Sequence, residues 1–510
     1  MNPLLLTDGY KTGHHRQYPK GTTLVYSNFT PRSNKYAPQG CDQVVSFGQQ
    51  MIVRRIHEAF EKDFFSKPKE EVCGEMKREL SMYLGTDYDV SHFEALHDLG
   101  YLPIAVKAIE EGTLVPIKVP VLTIYNTHPD FYWITNYLET IISNLLWKPM
   151  TSATIAHAYR KLLTKWQEKT DAERAWFVDW QAHDFSMRGM DAVDATVSSG
   201  LGHLTSFSGT DSLPALDGAR RYYDEVGFVG GSVNATEHSV MCAGGKEDEV
   251  DTFRRLLQTY PTGILSVVSD TWDLWKVCTE HVVTLKEEIL ARDGKLVIRP
   301  DSGDPVDIIC GIPDAIPLTQ DKLQYRTLTR DISWKEQKGV IELLWDVFGG
   351  TVNEQGYKVL DSHIGAIYGD SITLNRAEEI CKRLEAKGFA STNIVFGVGS
   401  FTYQYNTRDT FGFAMKATYV ELNVPKYDGY TDQGLNREII RRNIFKDPIT
   451  DDGTKKSATG LLSVWDVESK LTLQDKCSWE EENAGILNTI YKDGKFDNVT
   501  TLTKIREKLK

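Results

Sequence analysis

Lys295-Leu296-Val297-Ile298-Arg299-Pro300-Asp301-Ser302-Gly303-Asp304-Pro305 begins as a strand-forming apolar run and stops at an arginine, a proline and two acids. The same rhythm recurs on either side. Residues 264–268 precede Ser269-Asp270, 364–368 precede Gly369-Asp370, and 394–396 precede Gly397. Between the last two runs, residues 371–387 carry apolar side chains at Leu374, Ala377, Ile380, Cys381 and Leu384. That spacing predicts a helix, with Gly388 as its C-terminal cap. Strand, acidic end, helix, strand is the pattern of a parallel α/β structure. In a barrel of parallel strands the carboxyl ends converge on one face, where substrates bind, and Asp270, Asp301 and Asp370 would then share a pocket. Two other readings stay open. Each acid could simply cap the following helix, and an open Rossmann-like sheet has the same alternation.

The chain has 510 residues and a mass of 57.7 kDa, enough for one large domain and a second with its own core. With 41% hydrophobic and 25% charged residues, it has the composition of a globular protein. It shows no fixed-period repeat and no low-complexity tract. The first 170 residues mix a helical pattern at 51–65 with a short strand at 104–108, and polar sequence at 425–434 and 451–460 reads as loop. The N-terminal MNPLLLTDGYKTGHH lacks the build of a signal peptide. The most apolar stretch, 140–147, ends at Lys148-Pro149, far short of the ~20 residues that span a bilayer. A soluble protein is therefore expected, with no membrane partner. Seven scattered cysteines without a CxxC point to reduced thiols in the cytoplasm. A net charge of −13 argues against a nucleic-acid partner but leaves room for a locally basic pocket.

The common catalytic signatures fail. There is no GxxxxGK[ST], no HExxH and no GxSxG. Gly397-Val398-Gly399-Ser400-Phe401-Thr402 starts like a dinucleotide fingerprint but lacks the third glycine. It offers backbone N–H groups at a strand end, suited to phosphate, or equally a tight turn. Val267-Val268-Ser269-Asp270 has the flavour of the acidic loop of type I phosphoribosyltransferases, but the second acid and the following Thr-Gly are missing. Four segments are dense in functional residue types: His183-Asp184-Phe185-Ser186-Met187-Arg188-Gly189, Phe207-Ser208-Gly209-Thr210-Asp211, Ala235-Thr236-Glu237-His238-Ser239, and Arg299 to Asp304 within the opening stretch.

With Leu6-Thr7-Asp8-Gly9-Tyr10-Lys11, Gln17-Tyr18-Pro19, Tyr368-Gly369-Asp370, Thr407-Arg408-Asp409 and Phe445-Lys446-Asp447-Pro448, these segments resemble, in order and over essentially the whole chain, the nicotinamide phosphoribosyltransferases. The resemblance implies an irregular α/β barrel of the type II phosphoribosyltransferases plus a second α/β domain built from N- and C-terminal segments. The expected division is 1–170, 171–406 and 407–510. It implies a homodimer that joins nicotinamide to 5-phosphoribosyl-1-diphosphate, giving nicotinamide mononucleotide and diphosphate in NAD salvage. Phe185 then matches the aromatic on one face of the pyridine ring, and Tyr10 the one that covers the other face from the partner subunit. Arg188 matches a contact to the amide oxygen or ribose phosphate, and Asp211 the acceptor of the amide N–H. Asp270, Asp301, Gly369 and Asp370 match positions around the ribose and diphosphate. Arg299, Gly399 and Ser400 match phosphate contacts, joined by Arg408, Lys416 and Lys455 from the partner. Mg²⁺ would be held through the diphosphate rather than by assigned protein ligands. His238 matches the histidine that ATP phosphorylates, with Glu237 beside it placed to orient the imidazole.

The chain departs from the family's pattern at several points. Gly399-Ser400-Phe401 replaces a run of three glycines, Trp180 a tyrosine and Ala414 a serine, and the segment 425–441 is longer than expected. Two alternatives accompany this reading: a nicotinate phosphoribosyltransferase, and an ATP-binding regulator that keeps the barrel without the transfer.

Overall fold

The computed structural model describes residues 1–369, 371–431, 434–446 and 458–510, with backbone only at 427–431 and 434–435. Asp370 and Lys455 therefore lie outside the described residues, as does most of the 451–460 segment. The chain forms two compact units. One holds Ile155–Asp217 and Gly227–Asn406; the other holds Met1–Thr154, Gly218–Val226 and Thr407–Lys510.

The first unit is built on seven parallel strands: β1 (Ala182–Asp184), β2 (Gly209–Thr210), β3 (Asn234–Ala235), β4 (Thr262–Val268), β5 (Asp293–Arg299), β6 (Ile364–Tyr368) and β7 (Ile394–Val398). Their order in the sheet is β2-β1-β7-β6-β5-β4-β3, which is simply chain order read around a ring. The two ends of that row are drawn together by a parallel bridge between Gly209 and Gly231, with hydrogen bonds Thr210 N–H to Gly231 O at 3.0 Å and Gly231 N–H to Ser208 O at 2.8 Å. The sheet therefore curls into an irregular barrel, and the open Rossmann-like alternative is set aside.

Alternation along β5 shows how the strands sit. Leu296 and Ile298 are fully buried in a large apolar cluster with Leu265, Val267, Ile364, Ala366, Ile394 and Phe396, while Val297 and Arg299 lie on the other face. Gly397 is where neighbouring backbones come closest: a Cβ there would lie 2.5 Å from the Tyr368 carbonyl oxygen. The helix expected at 371–387 forms as Leu374–Ala386, capped by the Thr373 side chain on Arg376 N–H. It ends at Gly388 (φ +76) with Phe389 N–H on Leu384 O at 2.8 Å and Gly388 N–H on Glu385 O at 2.9 Å, a Schellman turn.

Capping is not the work of the strand-end acids. Asp273 caps Leu274–Lys276 and Asp304 caps Pro305–Cys310, three residues beyond Asp270 and Asp301, as Thr373 stands three beyond 370. The strand-end carboxylates are left to the rim.

The second unit contains an antiparallel seven-stranded sheet in the order Gly434–Asn443, Ala414–Thr431, Thr22–Thr30, Leu122–Asn126, Ile104–Ala108, Asn488–Lys492 and Lys495–Phe496. Early and late segments of the chain thus share one sheet. The expected loop at 425–434 is instead carried by a hairpin, with strands running to Thr431 and from Gly434. The ladder there shifts register between Pro425 and Tyr430, where Pro425 lacks an N–H to donate. The helix expected at 51–65 is α-helical over Gln49–Phe60 and continues as a π-turn through Phe65, burying Met51, Ile52, Val53, Ile56 and Phe60. All seven cysteines are free, and burial pushes the Cys278 and Cys310 thiols up to about 12. No helix among the described residues is long and apolar enough to cross a membrane.

A buried ion pair joins this sheet to the late helix Trp479–Ala484. Lys107 Nζ lies 2.7 Å from Glu482 Oε2, with side-chain exposures of 4% and 0%, and Tyr26 donates to Glu482 Oε1 at 3.3 Å. A buried pair is costly to halve because the remaining charge is stranded in a poor dielectric. Lys107→Met should lower the unfolding free energy by about 3–5 kcal/mol, and adding Glu482→Leu should recover most of the loss, as read by urea unfolding of both variants.

Candidate active site

The rim of the barrel gathers most of the residues singled out in the sequence. β1 ends at Asp184, which is fully buried and shapes the turn: Oδ1 accepts Ser186 N–H at 2.9 Å and Oδ2 accepts the Thr210 hydroxyl at 3.3 Å. Phe185 N–H donates to Val398 O at 2.9 Å, which ties the turn to β7 and leaves the Phe185 ring half-buried at the rim. The Arg299 guanidinium, from the end of β5, sits 5.0 Å from the centroid of that ring, within the range of a cation–π contact.

His183 also neighbours Phe185, its ring 4.5 Å away and tilted. His183 Nε2 lies 2.8 Å from Asp211 Oδ1, and the Ser232 hydroxyl donates to the same oxygen at 2.5 Å. Burial works against the charge on Asp211. The hydrogen bonds from His183 and Ser232, with the nearby charge of Arg299, outweigh it and hold the carboxyl below its ordinary value. An anionic acceptor thus stands beside a half-buried aromatic face. Ser232 was not singled out in the sequence, and His183 carried no role of its own. A serine in a glycine-flanked loop far along the chain gives no local signal of either contact.

The second cluster lies at the ends of β4 and β5. His238, at the head of His238–Gly244, has Nε2 3.2 Å from Asp270 Oδ1. Asp270 Oδ2 accepts Asp301 N–H at 2.9 Å and the Ser302 hydroxyl at 2.6 Å. Both oxygens of Asp270 are therefore committed within the chain, and its side chain is 5% exposed against 47% for His238. This corrects the expectation for Glu237, which does not meet the imidazole. Its carboxylate takes the Ser239 hydroxyl and faces Arg188, 3.8 Å away. Neighbours in sequence diverge here because the strand turns into a helix between them. Burial and then the carboxylates of Asp301, Asp270 and Asp304 push the Tyr368 phenol well above its ordinary range, which reports the negative field along this part of the rim.

Gly369 lets the two halves approach. A Cβ on it would lie 2.5 Å from Asp301 Oδ1 and 2.9 Å from Arg299 Nε. Arg299 Nε is buried without a hydrogen-bond partner among the described residues. Gly399 and Ser400 follow β7, and the Ser400 side chain occupies the space that a Cβ on Gly189 would need. Trp180 packs its ring 5.9 Å from Phe228. Among the described residues no three His, Cys, Asp or Glu side chains gather as a metal-ligand set.

Tyr10, Arg408 and Lys416 belong to the other unit. Tyr10 is 66% exposed on the turn Gly9–Gly13. The turn is pinned beneath it by buried Lys11, whose Nζ reaches Glu139 Oε2 at 2.9 Å and Asn136 O at 2.7 Å. Arg408 opens the short turn Arg408–Thr410, and Lys416 lies on Ala414–Thr431 opposite Asn28.

Residues 180–477 match the profile of the nicotinate phosphoribosyltransferase (NAPRTase) family, and residues 2–96 match that of the nicotinamide phosphoribosyltransferase N-terminal domain. A protein of Acinetobacter baylyi named nicotinamide phosphoribosyltransferase is 50% identical over 521 residues, covering 100% of this chain and 97% of its own. One of the same name from Mycoplasma pneumoniae is 34% identical, covering 90% and 95%. The crystal structure of human nicotinic acid phosphoribosyltransferase aligns with a TM-score of 0.53 at 16% identity, covering 99% of this chain and 92% of that one, a likeness of fold alone. The chain belongs to the nicotinate phosphoribosyltransferase (NAPRTase) family and, within it, to the nicotinamide phosphoribosyltransferases.

Proposed function

We propose that this chain transfers the 5-phosphoribosyl group of 5-phosphoribosyl-1-diphosphate to nicotinamide, giving nicotinamide mononucleotide and diphosphate for NAD salvage. The observation that carries the choice of base is Asp211, an ionised acceptor one imidazole away from the Phe185 ring. A carboxamide N–H suits that acceptor, whereas a carboxylate meets a like charge. Phe185 supports one face of the pyridine, and Tyr10 of a second copy covers the other, which makes the working unit a homodimer. Arg188 contacts the amide oxygen or the ribose phosphate.

The ring nitrogen donates its lone pair to C1 of the ribose as the bond from C1 to the diphosphate oxygen breaks. No protein nucleophile is required and no proton has to move. The ribose becomes oxocarbenium-like on the way, and the Asp301 carboxylate at the rim, joined by Asp370, which lies outside the described residues, stabilises it electrostatically. Arg299 and the backbone at Gly399-Ser400 hold phosphate, joined by Arg408, Lys416 and Lys455 of the second copy. The donor set fits a cation held through diphosphate oxygens better than a protein cage, since Asp270 already engages three groups of the chain and no three-ligand cluster stands among the described residues. Mg²⁺ bound in that way neutralises charge on the leaving diphosphate. His238 accepts the γ-phosphoryl group of ATP, releasing ADP, with Asp270 as the carboxylate that orients its imidazole. The reaction is placed in the cytoplasm, where free thiols persist.

The rival reading is nicotinate as the base, favoured by the family profile over residues 180–477. Incubation with phosphoribosyl diphosphate, Mg²⁺ and either base should give a higher kcat/KM for nicotinamide; a preference for nicotinate, or no mononucleotide at any ATP level, would overturn the assignment. Gly369→Ala forces a methyl onto Asp301 and Arg299. It should raise the KM for phosphoribosyl diphosphate at least roughly tenfold with little change in Tm, as measured by steady-state kinetics and thermal melting. His238→Ala should keep slow transfer and lose its stimulation by ATP; equal stimulation of mutant and wild type would remove the phosphohistidine role.

A further inference from the structure

Two groups meet at Asp211, and their arrangement is more specific than a surface hydrogen-bond network requires. His183 Nε2 and Ser232 Oγ converge on the same oxygen, Oδ1, at 2.8 and 2.5 Å. The Asp211 side chain is nevertheless 43% exposed, and Oδ2 takes no partner among the described residues. A carboxylate left to itself on a loop spreads its acceptor capacity over several rotamers. Here two donors of different origin, one on a barrel strand and one on the loop entering β3, hold one named oxygen and leave the other.

The strand makes the clamp stiff. His183 lies in β1, paired in register with Gly397 on one side and Gly209 on the other. Gly209 is a glycine where the ring needs the room: a Cβ there would lie 2.7 Å from His183 Nδ1 and 3.3 Å from Cγ. The imidazole is 10% exposed, its ring 4.5 Å from that of Phe185 and tilted to it. Because its partner is an anion, the proton of the neutral ring belongs on Nε2, a tautomer assigned from the hydrogen bond. His183 therefore links the aromatic platform and the acceptor, the two groups that would read the base.

We propose that His183 and Ser232 are positioning residues that set the preference for an uncharged carboxamide over a carboxylate, by fixing Oδ1 of Asp211 and leaving Oδ2 as the single acceptor for the base. The inference rests on the assignment of Asp211 as the reader of the amide. Neither residue touches the base. Each acts through Asp211, His183 by aim and by its tilted ring contact with Phe185, Ser232 by aim alone. Charge-assisted hydrogen bonds of this kind are the stronger class, so their loss should appear in recognition before it appears in folding.

The test is the ratio of kcat/KM for nicotinamide to that for nicotinate, at saturating phosphoribosyl diphosphate, in full-length wild type, His183→Leu, His183→Gln, Ser232→Ala and Asp211→Asn, with Tm measured for each. His183→Leu should raise the nicotinamide KM about tenfold with kcat nearly kept, and shrink the ratio by about the same factor. Ser232→Ala, at an exposed position, should shrink it about threefold without loss of Tm, and it decides the matter if His183→Leu does not fold. His183→Gln, which returns an N–H donor, should restore most of the ratio. Ratios within twofold of wild type in both His183→Leu and Ser232→Ala overturn the clamp, as does a loss confined to kcat. A smaller ratio in Asp211→Asn alone overturns the clamp while sparing Asp211 as reader; an unchanged ratio in Asp211→Asn removes both.

Discussion

Parallel pairing in one consecutive order around a ring is the constraint on which the catalytic unit depends. Seven strands run the same way, so all of their carboxyl ends meet one rim and every return connection must cross outside. Chemistry-bearing residues from positions 183 to 400 are thereby brought within a few ångströms without any local sequence relation. The pairing is tight enough to specify glycine at defined points. Gly397 lies against the Tyr368 carbonyl, Gly369 against Asp301 and Arg299, and Gly209 against the His183 ring. Each of these glycines admits a functional side chain or a neighbouring backbone where a methyl group would collide.

The rim that results is electrostatically divided. Around β4 and β5, burial first and then the carboxylates of Asp301, Asp270 and Asp304 raise the Tyr368 phenol above its ordinary range. Next to them Arg299 lies over Phe185, its Nε without a partner among the described residues. A donor with a phosphorylated ribose and a diphosphate needs both signs within a short span, cations for the phosphates and acids for a ribose that becomes positive. The base half is separate and less charged, an aromatic face and one carboxylate. Since the transfer uses the substrate's own nitrogen, such placement of charge and ring is what remains for the protein to supply.

The legible parts of this molecule were those with a local cause. Strands β4 to β7 could be read because apolar runs end at Asp or Gly, and the helix Leu374–Ala386 because its apolar spacing, threonine cap and glycine stop are written within a few turns. Strands β2 and β3, two residues each, carry no pattern long enough to recognise. The end of the hairpin beyond Pro425 was hidden by that proline and a run of Asp and Gly, although the backbone pairs there. At the site, residue identities were legible through the family resemblance, but partnerships were not. Glu237 adjoins His238 in sequence, yet Asp270, on another strand, meets its imidazole. Ser232 acquires meaning only once the barrel has curled and brought it to Asp211.

The buried pair Lys107–Glu482 joins residues 375 apart in the chain, beside the pairing of strand Ile104–Ala108 with Asn488–Lys492. At roughly 5–20 residues per second, a ribosome takes on the order of tens of seconds to deliver the second partner after the first. Throughout that interval Ile104–Ala108 has one edge without its strand and a lysine without its carboxylate. The barrel unit, which ends at Asn406, leaves the ribosome before that sheet can be completed. Lysine is a charge that keeps an unpaired edge from adding a foreign strand. The group that ends as a buried ion therefore begins as a guard on a waiting edge.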